Sequence, residues 1–217
     1  MNRIVFYILL FPIGLLSISF HEYMHGKVSY MLGDPTPALM GRLTLNPLAH
    51  LDPLGALAMM IFKVGWAKPV PVNPGYYKNP RKGLMYVALA GPASNFFLAF
   101  VFAILLRVFI LANNIVIYYN LGNIIINRAN SPLIHIIVLL LFLGVYLNIA
   151  LAIFNLLPLP PLDGSKILMG ILPPRFRRYF YKLEGPIGLI IILALFYFEI
   201  IGKIIYPIVD LFLNILI

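Results

Sequence analysis

Ser19-Phe20-His21-Glu22-Tyr23-Met24-His25-Gly26 sets an H-E-x-x-H pattern in an otherwise apolar stretch. Residues four apart share one face of a helix, so His21 and His25 can hold one metal ion between them. Glu22 lies beside the pair, where it can take a proton from a metal-bound water. Two buried histidines satisfied by backbone carbonyls, with a stray glutamate, would be the plainer reading. It is a costly one, because three ionisable residues within five positions of an apolar helix are rare without function. The pattern points to zinc.

The surrounding chain of 217 residues is 62% hydrophobic and 11% charged, where soluble domains run at about 45–50% and about 25%. It reads as an integral membrane protein. The first apolar stretch is too long for a removable signal peptide and carries the histidine pair itself. There is no cysteine, which excludes disulfides, thiolate zinc sites and cysteine nucleophiles. A net charge of +9 reports loop topology in such a protein rather than nucleic-acid binding. No long polar linker, repeat or low-complexity tract marks a second domain. One membrane domain is expected over 1–217, with its core in about 1–172 and a C-terminal membrane helix region in 186–217.

Residues 4–32 are long enough to cross an apolar layer of about 30 Å at about 1.5 Å per residue, and they stop at Gly33-Asp34-Pro35. Further spans are expected over 84–111 and 132–157. The last run, Pro186 to Ile217, exceeds one span, with Gly202 and Pro207 as candidate breaks. Residues 35–82 differ in texture. Leu39 to Asn46 alternates apolar and polar, a strand pattern, and Val64 to Val72 reads as extended, its prolines suiting an edge. Pro53 to Phe62 is apolar but too short to cross. The expected fold is an all-α polytopic membrane protein of about four to five transmembrane helices, with a small membrane-associated β-hairpin and a short re-entrant or interfacial helix.

Charge sets the orientation. Residues 27–82 carry Lys27, Arg42, Lys63, Lys68, Lys78, Arg81 and Lys82, and residues 158–185 carry Lys166, Arg175, Arg177, Arg178 and Lys182; these are 12 of the 16 lysines and arginines. Both stretches belong in the cytoplasm and the N-terminus outside. His21 and His25 then lie within a multi-pass cell-membrane protein, nearer its cytoplasmic face.

Catalytic zinc normally takes three protein groups and a water. The candidates for a third ligand are Asp163, Glu184, Glu199, Asp34, Asp52, His50 and His135. Asp163 falls at about the depth of the histidine pair. Its approach, Leu157 to Leu162, holds Pro158, Pro160 and Pro161, and the missing N–H groups lower the cost of extended backbone within a membrane. Asp163 would also serve as a helix N-cap. Glu199 lies four residues from Lys203, as in a helix ion pair. Asn95 and Asn155 lie in or at the ends of apolar helices, where helix-to-helix hydrogen bonding is the ordinary role.

Three motifs in order now resemble the site-2 proteases, which are intramembrane zinc metalloproteases. His21-Glu22-Tyr23-Met24-His25 fits that family's H-E-x-x-H, Gly91-Pro92-Ala93-Ser94-Asn95 looks like its G-P-x-x-N, and Asn155 to Gly164 fits its N-x-x-P-x-P-x-L-D-G. Ser165 stands where the family often has a second glycine. No PDZ-like insertion is present, so the resemblance is to the compact form. It implies that His21, His25 and Asp163 ligate one Zn2+ per chain, with Glu22 as general base. It also implies that Asn95 and Asn155 help hold an unwound substrate, and that Arg42, Leu43 and Thr44 belong to a membrane-associated hairpin that pairs with it. The implied partners are transmembrane segments of membrane-protein substrates and the lipid bilayer, with no nucleic acid and no nucleotide. A metal transporter would spread acidic and histidine residues along several spans, and here they cluster at one depth. A catalytically inactive homologue that only binds membrane proteins is the other alternative.

Overall fold

The computed structural model describes residues 3–55, 67–120, 123–127, 131–173, 180 and 182–217. Four long helical units carry the fold. Helix α1, Arg3–Met31, covers 29 residues and ends at Gly33, whose φ of +101° turns the chain out of the helix. Two four-residue helices follow, α2 (Thr36–Leu39) and α3 (Pro47–His50). Helix α4, Pro80–Asn113, is capped by the Asn79 side chain, which accepts from the Lys82 N–H. Helix α5, Pro132–Leu156, is capped by Ser131 in the same way, through the Ile134 N–H. A short helix α6, Asp163–Ile171, precedes the pair α7 (Pro186–Tyr197) and α8 (Ile200–Leu216).

Among the described residues, α4 and α5 are long and apolar enough to cross a membrane, and α7 with α8 makes a third such unit if the bent pair is one span. The bend is 72° and sits at Glu199, which adopts a φ of +57°. Gly202 and Pro207 do not break the run; both lie inside α8. The core lies where α4, α5 and α8 meet, with Ala99, Ala103 and Leu106 facing Val138, Phe142, Val145 and Ile149 and, beyond them, Ile201, Ile205, Val209 and Leu213. These recur every three or four positions, the stripe a helix buries. On the opposite side of α4, Phe97, Phe100, Val108 and Leu111 are exposed, a surface suited to lipid rather than water.

The small sheet exists, but not over Leu39–Asn46. That stretch forms the end of α2 and a run of turns. Thr44 Oγ1 accepts from the Asn46 N–H, and Asn46 Oδ1 accepts from the Leu48 N–H, so side chains take the donors that a strand ladder would need. The hairpin is built instead from β1 (Val116–Asn120) and β2 (Asn123–Asn127), antiparallel, with Val116 opposite Asn127 and Tyr118 opposite Ile125. The only pairing near the expected position, among the described residues, is one bridge between Leu51 and Ala67. The short helix expected over Pro53–Phe62 falls mostly outside the described residues, as do 64–66 of the extended segment.

Two polar knots tie the bundle to its loops. The Arg81 side chain donates to the carbonyls of Gly170, Ile171 and Leu172, tying the last turn of α6 to the start of α4. Asp34 is fully buried. It accepts from the Ser29 hydroxyl at 2.7 Å, the Asn73 N–H at 2.7 Å and the Thr36 N–H at 2.9 Å, joining the end of α1 to the segment before α4. Burial alone would raise its pKa, but these donors together hold it below the ordinary carboxylate value. A depressed folded pKa contributes stability that is present above the unfolded value of about 4 and lost as pH falls through the folded one. Thermal unfolding in detergent should therefore show stability falling on acidification below about pH 4. In Asp34→Asn that slope should shrink. An NH2 would then face a backbone donor, and the variant should lose about 1–3 kcal/mol at neutral pH.

Candidate metal centre

His21 and His25 share one face of α1 and point into the bundle, 7% and 8% exposed. Their Nε2 atoms lie 3.0 Å apart. Asp163 Oδ2 is 3.1 Å from each, so the three atoms form a nearly equilateral triangle. Asp163 is the first residue of α6, and Leu162 rather than Asp163 takes the N-cap position. Its other oxygen is 3.7 Å from Lys166 Nζ.

Close backbone approach makes the triangle possible. A Cβ on Gly91 of α4 would stand 2.4 Å from His25 Nε2 and 2.6 Å from His21 Cε1, so only glycine leaves room for both rings. A Cβ on Gly164 would stand 2.2 Å from the Leu156 carbonyl oxygen and 2.4 Å from that of Leu157. Glycine there lets the first turn of α6 lie against the end of α5, which sets the depth of Asp163.

The outer nitrogens of both rings face acceptors. His25 Nδ1 is 2.7 Å from the Val87 carbonyl, and His21 Nδ1 is 2.6 Å from Asn95 Oδ1. In its neutral form each ring then keeps its proton on Nδ1 and turns the lone pair of Nε2 toward the cluster. Two such nitrogens and a carboxylate oxygen at contact distance repel one another unless a positive charge sits among them. A shared proton serves one pair; a cation serves all three. Ligand atoms bound at about 2.0–2.2 Å around a tetrahedral zinc lie about 3.3 Å apart, and two histidines with one carboxylate are a known catalytic set. The residues present fit zinc.

Glu22, half-buried, has its carboxylate within 4.8 Å of the histidine nitrogens. Its Oε2 accepts from the Val70 N–H at 3.0 Å. Val70 stands between Pro69 and Pro71 and so supplies the one N–H of that tripeptide. The segment is pinned in turn by Arg42, whose guanidinium bonds the carbonyls of Lys68 and Pro69, and by the His50 carbonyl, which accepts from the Lys68 N–H at 2.9 Å.

The remaining expected residues are placed as follows. Asn95 is fully buried and bonds His21 rather than facing an open channel. Asn155 donates back to the Leu151 carbonyl of its own helix. Arg42 is buried against the chain's own carbonyls, Leu43 packs on Gly26, and Thr44 is used in a local turn. Asp34 and Asp52 are occupied by backbone N–H groups, His50 Nε2 pairs with the Thr44 carbonyl, and His135, Glu184 and Glu199 are exposed. Two residues escaped the sequence reading, Asn148 and Ser17, both fully buried; Asn148 Oδ1 and the Ser17 carbonyl both accept from Asn95 Nδ2. Asn148 lies two turns before Asn155 in an apolar helix and Ser17 one turn before His21, which was the available signal.

The model of peptidase family M50 matches residues 8–197, a span that holds the whole buried cluster. YwhC of Bacillus subtilis, assigned as a zinc metalloprotease, is 36% identical over 90% of this chain and 83% of its own length. MJ0611 of Methanocaldococcus jannaschii, assigned likewise, is 31% identical over 75% of this chain and 72% of its own. The zinc metalloprotease MJ0392 of the same archaeon is 27% identical over 98% of this chain and 49% of its own length. No solved structure matches the chain. On the extent of these matches, with the H-E-x-x-H pair and Asp163 meeting in one buried cluster, the chain belongs to peptidase family M50, the site-2 proteases.

Proposed function

We propose that this chain is an intramembrane zinc endopeptidase that hydrolyses peptide bonds in or near the transmembrane segments of membrane-protein substrates. His21, His25 and Asp163 hold one zinc ion per chain, and Glu22 is the general base. The observation that carries this reading is the convergence of His21 Nε2, His25 Nε2 and Asp163 Oδ2 at 3.0–3.1 Å, with a carboxylate beside them.

A zinc ion held by these three groups would supply Lewis acidity and bring the pKa of a water toward neutrality. Glu22 accepts that water's proton and passes it to the leaving amine. The Val70 N–H holds one carboxylate oxygen and leaves the other for the proton. Arg42, Leu43 and Thr44 lie on the segment that would help hold the unwound substrate, and Arg42 also fixes the loop beside Glu22. A helical substrate hides its carbonyls and must unwind locally to present one. An apolar groove between α1 and α4, lined by Phe20, Met24, Val28, Tyr86, Ala90 and Phe97, gives such a helix a lateral surface next to the histidine turn. The clustering of Lys and Arg in 27–82 and 158–185 supports a multi-pass cell-membrane protein with this site nearer the cytoplasmic side. The whole of 1–217 then works as one membrane domain.

Reconstituted with a single-span substrate, the wild-type protein should cleave it and stop when a chelator is added. Glu22→Gln should lose about 10²–10⁴-fold in rate while keeping its zinc. Undiminished cleavage by that variant, or indifference to chelation, would end the protease reading.

Asp163→Ala should instead lose the metal. Elemental analysis after dialysis should find well under one zinc per chain, and full retention would place the third ligand elsewhere.

A further inference from the structure

Asn148 is a fully buried polar residue on α5 for which the chemistry above has no use. Its amide nitrogen donates to the Gly144 carbonyl at 2.9 Å and to Ser17 Oγ at 2.9 Å. Its oxygen accepts from Asn95 Nδ2 at 2.9 Å. Asn95 Nδ2 also points to the Ser17 carbonyl at 3.4 Å, and Asn95 Oδ1 faces His21 Nδ1 at 2.6 Å. One chain of hydrogen bonds thus links α5, α4 and α1 to a histidine of the cluster.

The direction of that chain is fixed at its far end. A backbone carbonyl can only accept, so the Asn148 amide must turn its nitrogen to Gly144 and its oxygen to Asn95. Asn95 must then answer with its nitrogen, which leaves its oxygen for His21. That oxygen can only accept, so His21 Nδ1 carries the proton and Nε2 is bare on the side of His25 and Asp163. We infer that Asn148 is a positioning residue which, acting through Asn95, sets the tautomer of His21 and so readies its Nε2 for a metal ion. This deepens the metal reading above and rests on it.

Adhesion between helices is the simpler job for a buried asparagine, and it makes different demands. Adhesion needs only that Asn148 find partners; the relay needs them in one order. The test uses the full chain in detergent, with zinc affinity measured by competition against a chromophoric chelator. Asn148→Leu should weaken zinc binding about 10–100-fold, the usual effect of losing a partner that orients a ligand, with an unchanged elution profile. Adding Asn95→Asp to that variant should recover most of the loss, because a carboxylate offers His21 an acceptor whichever way it turns. Asn95→Asp alone should not tighten binding, since it sets oxygen against Asn148 Oδ1. A lowered melting temperature with wild-type zinc affinity, or no recovery in the double variant, would overturn the relay.

Should Asn148→Leu fail to fold, nitrogen NMR of histidine-labelled, metal-free wild type at about pH 8 decides the matter, because the two neutral tautomers are distinguishable there. The Nδ1-protonated form of His21 is expected, and the Nε2-protonated form would refute the inference. Wild-type protein that binds no zinc would overturn the metal reading itself, while the tautomer measurement still judges the relay.

Discussion

Two imidazole nitrogens and a carboxylate oxygen are held 3.0–3.1 Å apart in the buried interior of the bundle. Such an arrangement is unfavourable on its own, since like partial charges repel more strongly where the dielectric is low. It persists because each participant is held from behind. The Val87 carbonyl holds His25, Asn95 holds His21, and the junction of α5 and α6 holds Asp163. The rest of the fold can be read as the means of bringing those three supports to one depth.

The supports come from different elements, so backbone spacing matters more than side-chain bulk. Gly91 and Gly164 are places where helices approach closely enough that a methyl group would strike a ring or a carbonyl. The approach to Asp163 through Pro158, Pro160 and Pro161 has few N–H groups to satisfy. The two others that matter are used locally, Leu159 to the Leu157 carbonyl and Leu162 to the Leu159 carbonyl, both at 2.8 Å. At the far end of α6 its exposed carbonyls find Arg81. A nine-residue helix is marginal by itself in water; here both ends are fixed by neighbours, and the Asp163 side chain inherits that rigidity.

What the sequence disclosed follows from range. The i, i+4 spacing of His21 and His25 is a local property, and so it was legible. Asp163 was legible because its proline approach and its depth could both be read along the chain. The alternation from Leu39 to Asn46 misled because period two is shared by strands and by successive turns, and Thr44 and Asn46 chose turns by taking backbone donors themselves. The hairpin that does form, Val116–Asn120 with Asn123–Asn127, carries its own local signal, β-branched and aromatic runs flanking a two-residue Leu-Gly. Asn95 and Asn148 stand as polar residues in apolar helices, but their partners on other helices lie 53 to 131 positions away in sequence, beyond any periodicity.

The proposed ligands and the proposed base are anchored by different parts of the chain. His21, His25 and Asp163 depend on α4, α5 and α6, within the bundle. Glu22 sits on the same turn of α1, yet its carboxylate is directed by Val70, and Val70 is directed by Arg42 and the His50 carbonyl from the loops before it. Prolines on both sides of Val70 leave that segment no competing donor at this point. In the proposed mechanism this division has a physical use. The metal site needs rigidity and a dry surround, whereas the base needs water within reach. A carboxylate held from the loop side can meet water there without loosening the helices that fix the ligands. The turn of α1 that carries His21, Glu22 and His25 lies at the seam between bundle and loop.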